Sequence, residues 1–315
     1  MGKFVAAMAS SHAFALIEPE FWDQRRQRTR NNYKRRYGVE PAEQPQVLEE
    51  TLEDNQRRYK GIRDGLDYLR QRLDALRLDA LVVIGDDQDE NFREDNLPQF
   101  AIYIGNEVVA ADRDGTRGIR HPCDAELSRQ ILERSVEAGI DLAYSKSFPR
   151  DELISHAHRE PLAYLGIGNR IPIVPVFINA IHVPGPPPAR CYRFGQVLRD
   201  AVEAIPDGKR IALYASGGLS HFTASYPWPF YKGPCTVGSI CQDFDRKIVG
   251  AMREGRGGEL SRLTSQELLD NGEPEFRQWI TLLGAIGDHK PEQLVYEPFY
   301  RGLLGMAVGY WDLAA

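Results

Sequence analysis

Cysteine is scarce in this chain and poorly spaced for chelation. The four residues among 315, Cys123, Cys191, Cys235 and Cys241, form no C-x-x-C pair and read as reduced thiols. No apolar run approaches the ~20 residues that a membrane-spanning helix needs. The first apolar run follows a single lysine, Lys3, and leads straight into Ser11-His12 without a cleavage site, so no signal peptide is predicted and a cytoplasmic protein is expected. Neither sign of charge dominates: 39 basic residues against 45 acidic give a formal charge of -6, which suits a soluble protein and argues against a general nucleic-acid binder. A Walker lysine and a G-x-G-x-x-G pattern are also missing, leaving Gly217-Gly218 little support as a phosphate loop.

What is present is a series of buried strands that end in polar clusters. Lys3 to Ala9 is a small, apolar run that stops at Ser10-Ser11-His12. Ala80 to Gly85 repeats the arrangement and stops at Asp86-Asp87-Gln88-Asp89-Glu90-Asn91-Phe92; Ile171 to Asn179 and Arg210 to Ala215 are further strands, the last leading into Ser216-Gly217-Gly218-Leu219-Ser220-His221. In open α/β sheets ligands bind beyond the carboxyl ends of the strands, so His12, the acidic cluster and His221 are candidates for one rim. Phe100 to Ile104 and a short segment near Asp141 to Tyr144 add strands, while Asp124 to Ala138 and Cys191 to Ala204 read as amphipathic helices. The length suits one α/β domain, residues 1–315, with a central mixed sheet flanked by helices and a site at the strand ends.

Between about residues 18 and 76 the composition changes. Trp22 and Tyr33 sit among Arg25, Arg26, Arg28, Arg30, Lys34, Arg35 and Arg36, followed by leucines at helical spacing from Val47 to Leu76. A helical insertion or lid is expected there. Its charges read first as a solvated face, although an arginine turned inward would hold a substrate carboxylate well. Which arginine is left open. His156 and His158 share a face only if their segment is extended; in a helix they diverge, and one of them is expected to line the pocket. Glu275, in the first turn of a helix running to about Ile286, serves either the helix dipole or a metal.

Together Ser10-Ser11-His12, Asp87-Gln88, Pro161-Leu162 after His156, Asn179 with Arg190-Cys191, Gly217-Gly218-Leu219-Ser220-His221 and Glu275 before Trp279 give the chain a family likeness. It resembles the class III extradiol ring-cleavage dioxygenases, notably the catalytic beta subunit of protocatechuate 4,5-dioxygenase and the gallate and 3-O-methylgallate enzymes. The resemblance implies a non-haem Fe(II) cofactor held by two histidines and a glutamate, with O2 as co-substrate and a carboxylated catechol as substrate. By position His12 and Glu275 would be metal ligands, His221 the acid/base residue, His156 a catalytic or substrate-orienting histidine, and Ser220 a substrate contact. The family's third ligand, a histidine, is replaced by Gln88; either that amide binds more weakly, or Glu90 substitutes, or the site is altered. The resemblance also implies a homo-oligomer, a dimer or larger, and in some relatives a small helical partner subunit. Two other readings stand beside it: a catalytically altered relative that binds a small molecule or metal, and a metal-dependent hydrolase using a zinc-bound water.

Overall fold

The computed structural model describes residues 1–13, 17–111, 118–148 and 152–314. Among the described residues ten strands form in chain order: β1 (Lys3–Ser10), β2 (Ala80–Gly85), β3 (Phe100–Tyr103), β4 (Glu107–Ala111), β5 (Gly118–Pro122), β6 (Ala143–Ser145), β7 (Ile173–Ile178), β8 (Arg210–Ser216), β9 (Gln293–Phe299) and β10 (Leu304–Asp312). Eight of them make one mixed sheet in the order β6-β3-β7-β2-β8-β1-β10-β9, and β4 pairs with β5 in a separate antiparallel ribbon. The centre, β7-β2-β8-β1, is parallel, whereas β10 and β9 close one side antiparallel. Parallel strands covered on both faces need continuous apolar sequence, which is why β2 and β7 read ALVVIG and IVPVFI with every residue buried.

The helices are α1 (Trp22–Tyr37), α2 (Gln46–Glu49), α3 (Leu52–Leu76), α4 (Ala125–Glu137), α5 (His156–Tyr164), α6 (Pro188–Glu203), α7 (Gln242–Arg253), α8 (Ser265–Asp270) and α9 (Phe276–Ile286). One face of the sheet, with Val82, Ile84, Leu213 and Val176, is covered by α4, α6 and α9. The other, with Leu81, Val83, Tyr214 and Met8, is covered by α3 and α5. Within residues 18–76, α3 is therefore a layer of the body, burying Ile62, Leu66, Leu69 and Leu73 against that second face. The helix expected from Val47 to Leu76 is broken at Glu50-Thr51. Glu50 is buried and binds Arg58 and the backbone amides of Tyr300 and Arg301, while Thr51 caps α3 in a reciprocal pair with Asp54. More peripheral is α1, whose buried residues are Trp22 and Arg30. Trp22 lies edge-on to Tyr59 and Phe299, and this tethers the start of α1 to the body. Among the described residues no helix is long and apolar enough to cross a membrane.

Candidate active site

Three parallel strands deliver their carboxyl ends to one cavity. His12 follows β1, Gln88 follows β2 and His221 follows β8, while Glu275 stands at the start of α9 and His156 at the start of α5. The cavity measures about 430 Å³, and Arg25, Arg159 and Thr223 also line it. The expected convergence of strand-end residues is thus observed, with the starts of α5 and α9 and Arg25 of α1 also contributing to the wall.

His12 is buried and its ring is oriented by its neighbours. Nδ1 lies 3.2 Å from Ser216 Oγ, and that hydroxyl donates its own proton to the Ala157 carbonyl. Nδ1 must therefore be the donor, which leaves Nε2 with its lone pair, 3.8 Å from Glu275 Oε2. Burial lowers its pKa to about 4 against the opposing pull of Glu275, so the imidazole is neutral at pH 7, the form that binds metals.

Glu275 is the hub. Oε2 accepts the Gly218 amide at 2.9 Å, and Oε1 accepts Gln88 Nε2 at 2.9 Å and faces His221 Nε2 at 3.1 Å. Burial favours its neutral form, but the charge and hydrogen bond of His221 together with the Gly218 amide outweigh it and hold the carboxyl well below the usual range. Room for this side chain comes from Gly217: its φ of 140° suits glycine, and a Cβ there would stand 3.0 Å from Glu275 Oε2.

His221 presents both ring nitrogens to acceptors, Nδ1 to the Leu219 carbonyl at 2.7 Å and Nε2 to Glu275. Burial disfavours its charge, yet Glu275 prevails and raises the pKa to about 9. His156 follows the same logic. Its Nδ1 and its backbone amide both lie 2.9 Å from Glu90 Oε1, and this carboxylate overcomes burial to raise the pKa to about 9. The His156 and His12 rings meet edge to face with centroids 4.8 Å apart.

Several expected residues lie elsewhere. The segment holding His156 and His158 is helical, so the two diverge; His158 is fully buried, with Nε2 on the Val176 carbonyl. Ser220, expected as a substrate contact, does not line the cavity. It is wholly buried, donates to Asp245 Oδ2 at 2.8 Å and accepts the Cys241 amide at 2.8 Å, which pins the loop that carries His221. Glu90 is committed to His156. Among the described residues one group of three offers ligand atoms all within 4.8 Å of one another: His12, Asp86 and Glu275. One imidazole and two carboxylates suit a divalent cation, and Asp86 Oδ1 is buried with no hydrogen-bond partner, as an oxygen built for a cation would be. Asp86 belongs to the acidic strand end visible in the sequence but does not stand out within it. Arg159 could have been found, because it lies three residues after His156 and so shares its helix face.

Comparison with known proteins shows the family to which the chain belongs. The sequence model for the catalytic LigB subunit of aromatic ring-opening dioxygenase matches residues 44–308. A Cupriavidus necator protein named 2,3-dihydroxyphenylpropionate/2,3-dihydroxicinnamic acid 1,2-dioxygenase is 25% identical over 285 residues, covering 78% of this chain and 88% of its own. Its namesake from Klebsiella pneumoniae subsp. pneumoniae is 29% identical over 278 residues, covering 75% and 86%. The crystal structure of an uncharacterized protein from Escherichia coli K12 shares the fold with a TM-score of 0.51 at 18% identity, covering 79% of this chain and 92% of that one. The match to the family over most of its length identifies this chain as a member of the LigB family of extradiol aromatic ring-opening dioxygenases.

Proposed function

We propose that this protein cleaves the ring of a carboxylated catechol beside its paired hydroxyls, using Fe(II) and dioxygen. The observation that carries the proposal is the convergence on one cavity of a neutral His12, an ionised Glu275 and a His221 hydrogen-bonded to that same carboxylate. His12 and Glu275 are the proposed metal ligands. Bound there, the metal would supply a Lewis-acidic, redox-active centre that brings the two substrates together.

The remaining work falls to protein groups. His221 holds a proton at Nε2 against Glu275; with that carboxylate's charge neutralised, Nε2 is free to exchange its proton with a substrate hydroxyl. His156, fixed by Glu90, also lines the cavity and serves as a hydrogen-bond donor to the ring or its substituent. Arg25 and Arg159 give the same cavity two guanidinium groups, the side chain best shaped for a carboxylate. Because Arg25 comes from α1, that helix acts as one wall of the site.

The test is anaerobic loading with Fe(II), followed by aerated assays on protocatechuate, gallate, 3-O-methylgallate, 2,3-dihydroxyphenylpropionate and catechol, with absorbance followed for a ring-opened product. A new absorbing product from at least one carboxylated catechol is expected. No product from any of them with iron-replete protein would overturn the proposal and favour the binding-protein reading.

A further inference from the structure

The side chain at 88 decides how the metal would be held. Gln88 Nε2 lies 3.1 Å from Asp86 Oδ2 and 2.9 Å from Glu275 Oε1. The ionised Glu275 carboxylate can only accept, so the end of the amide that meets it, and Asp86 with it, must be its NH2 group; the reverse orientation would set oxygen against the Glu275 oxygen. An NH2 group is no ligand. Turning the amide to offer its oxygen would break both hydrogen bonds and leave two buried carboxylates facing each other.

Asp86 has what Gln88 lacks. It is wholly buried at the end of β2, one of its oxygens has no partner, and it belongs with His12 and Glu275 to the group whose ligand atoms lie within 4.8 Å of one another. Burial and the neighbouring Glu275 disfavour a charge on Asp86, and a neutral amide between the two carboxyl groups cannot offset that, whereas a dication held by both can.

We propose that this chain binds its divalent metal through His12, Asp86 and Glu275, with Gln88 a positioning residue that donates to the two carboxylates and is not itself a ligand. This deepens the function proposed above and rests on its metal dependence. One imidazole and two carboxylates form a harder, more negative donor set than two imidazoles and one carboxylate. Relative to such a site, preference shifts toward oxygen-seeking ions such as Mn(II).

The test is Mn(II) binding to the metal-free, full-length protein, read by the loss of the free-ion electron paramagnetic resonance signal and by the metal-induced rise in Tm. In wild type a pulsed spectrum of the bound ion should show one directly coordinated nitrogen, and two would overturn the proposal. Asp86→Asn should weaken binding by more than the roughly 10–100-fold typical of losing an outer-shell partner, and Gln88→Ala should stay within that range. Asp86→Asn binding within threefold of wild type, or Gln88→Ala abolishing binding as completely as His12→Ala, would overturn it. The Gln88→Ala arm does not depend on the Asp86 variant folding. No catechol or dioxygen enters these measurements: a protein that binds Mn(II) as described but cleaves no ring contradicts only the proposed function, and turnover that survives Asp86→Asn contradicts only this ligand set.

Discussion

His221 Nε2 lies 3.1 Å from Glu275 Oε1, so the residue proposed to move protons and a residue proposed to hold the metal share one hydrogen bond. Proton affinity at His221 is thereby tied to the charge on Glu275. Replacement His221→Gln should lower ring-cleavage turnover by about 10²–10⁴-fold, the range for losing a general acid or base, and leave metal content unchanged. Steady-state rates and metal analysis of the same preparation check this; near-normal turnover in the variant would remove His221 from the chemistry.

Arg159 should report on the substrate's carboxylate. It lines the cavity, its terminal nitrogen is paired with Glu160, and its buried Nε has no hydrogen-bond partner. Arg159→Gln should raise KM for a carboxylated catechol about tenfold or more, as losing a charge-assisted hydrogen bond would, with little change for unsubstituted catechol. Equal effects on both substrates would show that Arg159 shapes the wall without reading the charge.

Much of the sheet was legible in the sequence because its central strands are buried on both faces. Such strands leave uninterrupted apolar runs, and β1, β2, β7 and β8 lie where those runs predict. The C-terminal pair was not legible. β9 is largely half-buried and includes Glu297 and Pro298, and β10 is interrupted by Gly305 and Gly309, so neither has a clean strand period. Histidines of the site stand out by residue type, and His12, His156 and His221 do line the cavity. Asp86 does not, because in a run of acidic residues at a strand end only burial separates it from its neighbours. Ser220 shows a related limit: the resemblance implies a substrate contact there, and the glycines before it show that the loop turns tightly but not which side chain then faces inward.

Cys235 should be the reactive thiol. Its Sγ lies 3.6 Å from that of Cys241, and the hydrogen bond between them lowers the Cys235 pKa to about 6 while Cys241 is pushed up. Burial pushes Cys123 and Cys191 up to about 12. Because the thiolate is the nucleophile, alkylation of Cys235 by iodoacetamide should rise through pH 6 and level off above it, with Cys123 and Cys191 unlabelled. Cys241→Ala should move the half-point toward the ordinary value of 9. Peptide mass spectrometry across a pH series checks both, and a half-point already near 9 in wild type would contradict the account.

Gly284 and Gly195 let α6 and α9 touch backbone to backbone. A Cβ at Gly284 would stand 2.0 Å from the Tyr192 carbonyl oxygen, and one at Gly195 would stand 1.9 Å from that of Thr281. Neither neighbour is a side chain that could swing away. Gly284→Ala should cost about 1–3 kcal/mol or more in urea unfolding, the range for overpacking, because the helices must separate. Unchanged stability would mean that the interface is looser than described.

The most direct test of the central claim is the fate of the oxygen atoms. With Fe(II)-loaded protein, a cleaved catechol and ¹⁸O2, mass spectrometry should find both labelled atoms in the ring-opened product, one oxygen molecule consumed per ring, and a yield of labelled product lowered about 10²–10⁴-fold in His221→Gln. A product that takes its oxygen from water, or that forms equally well without dioxygen, would contradict extradiol cleavage and point to hydrolytic chemistry in the same cavity.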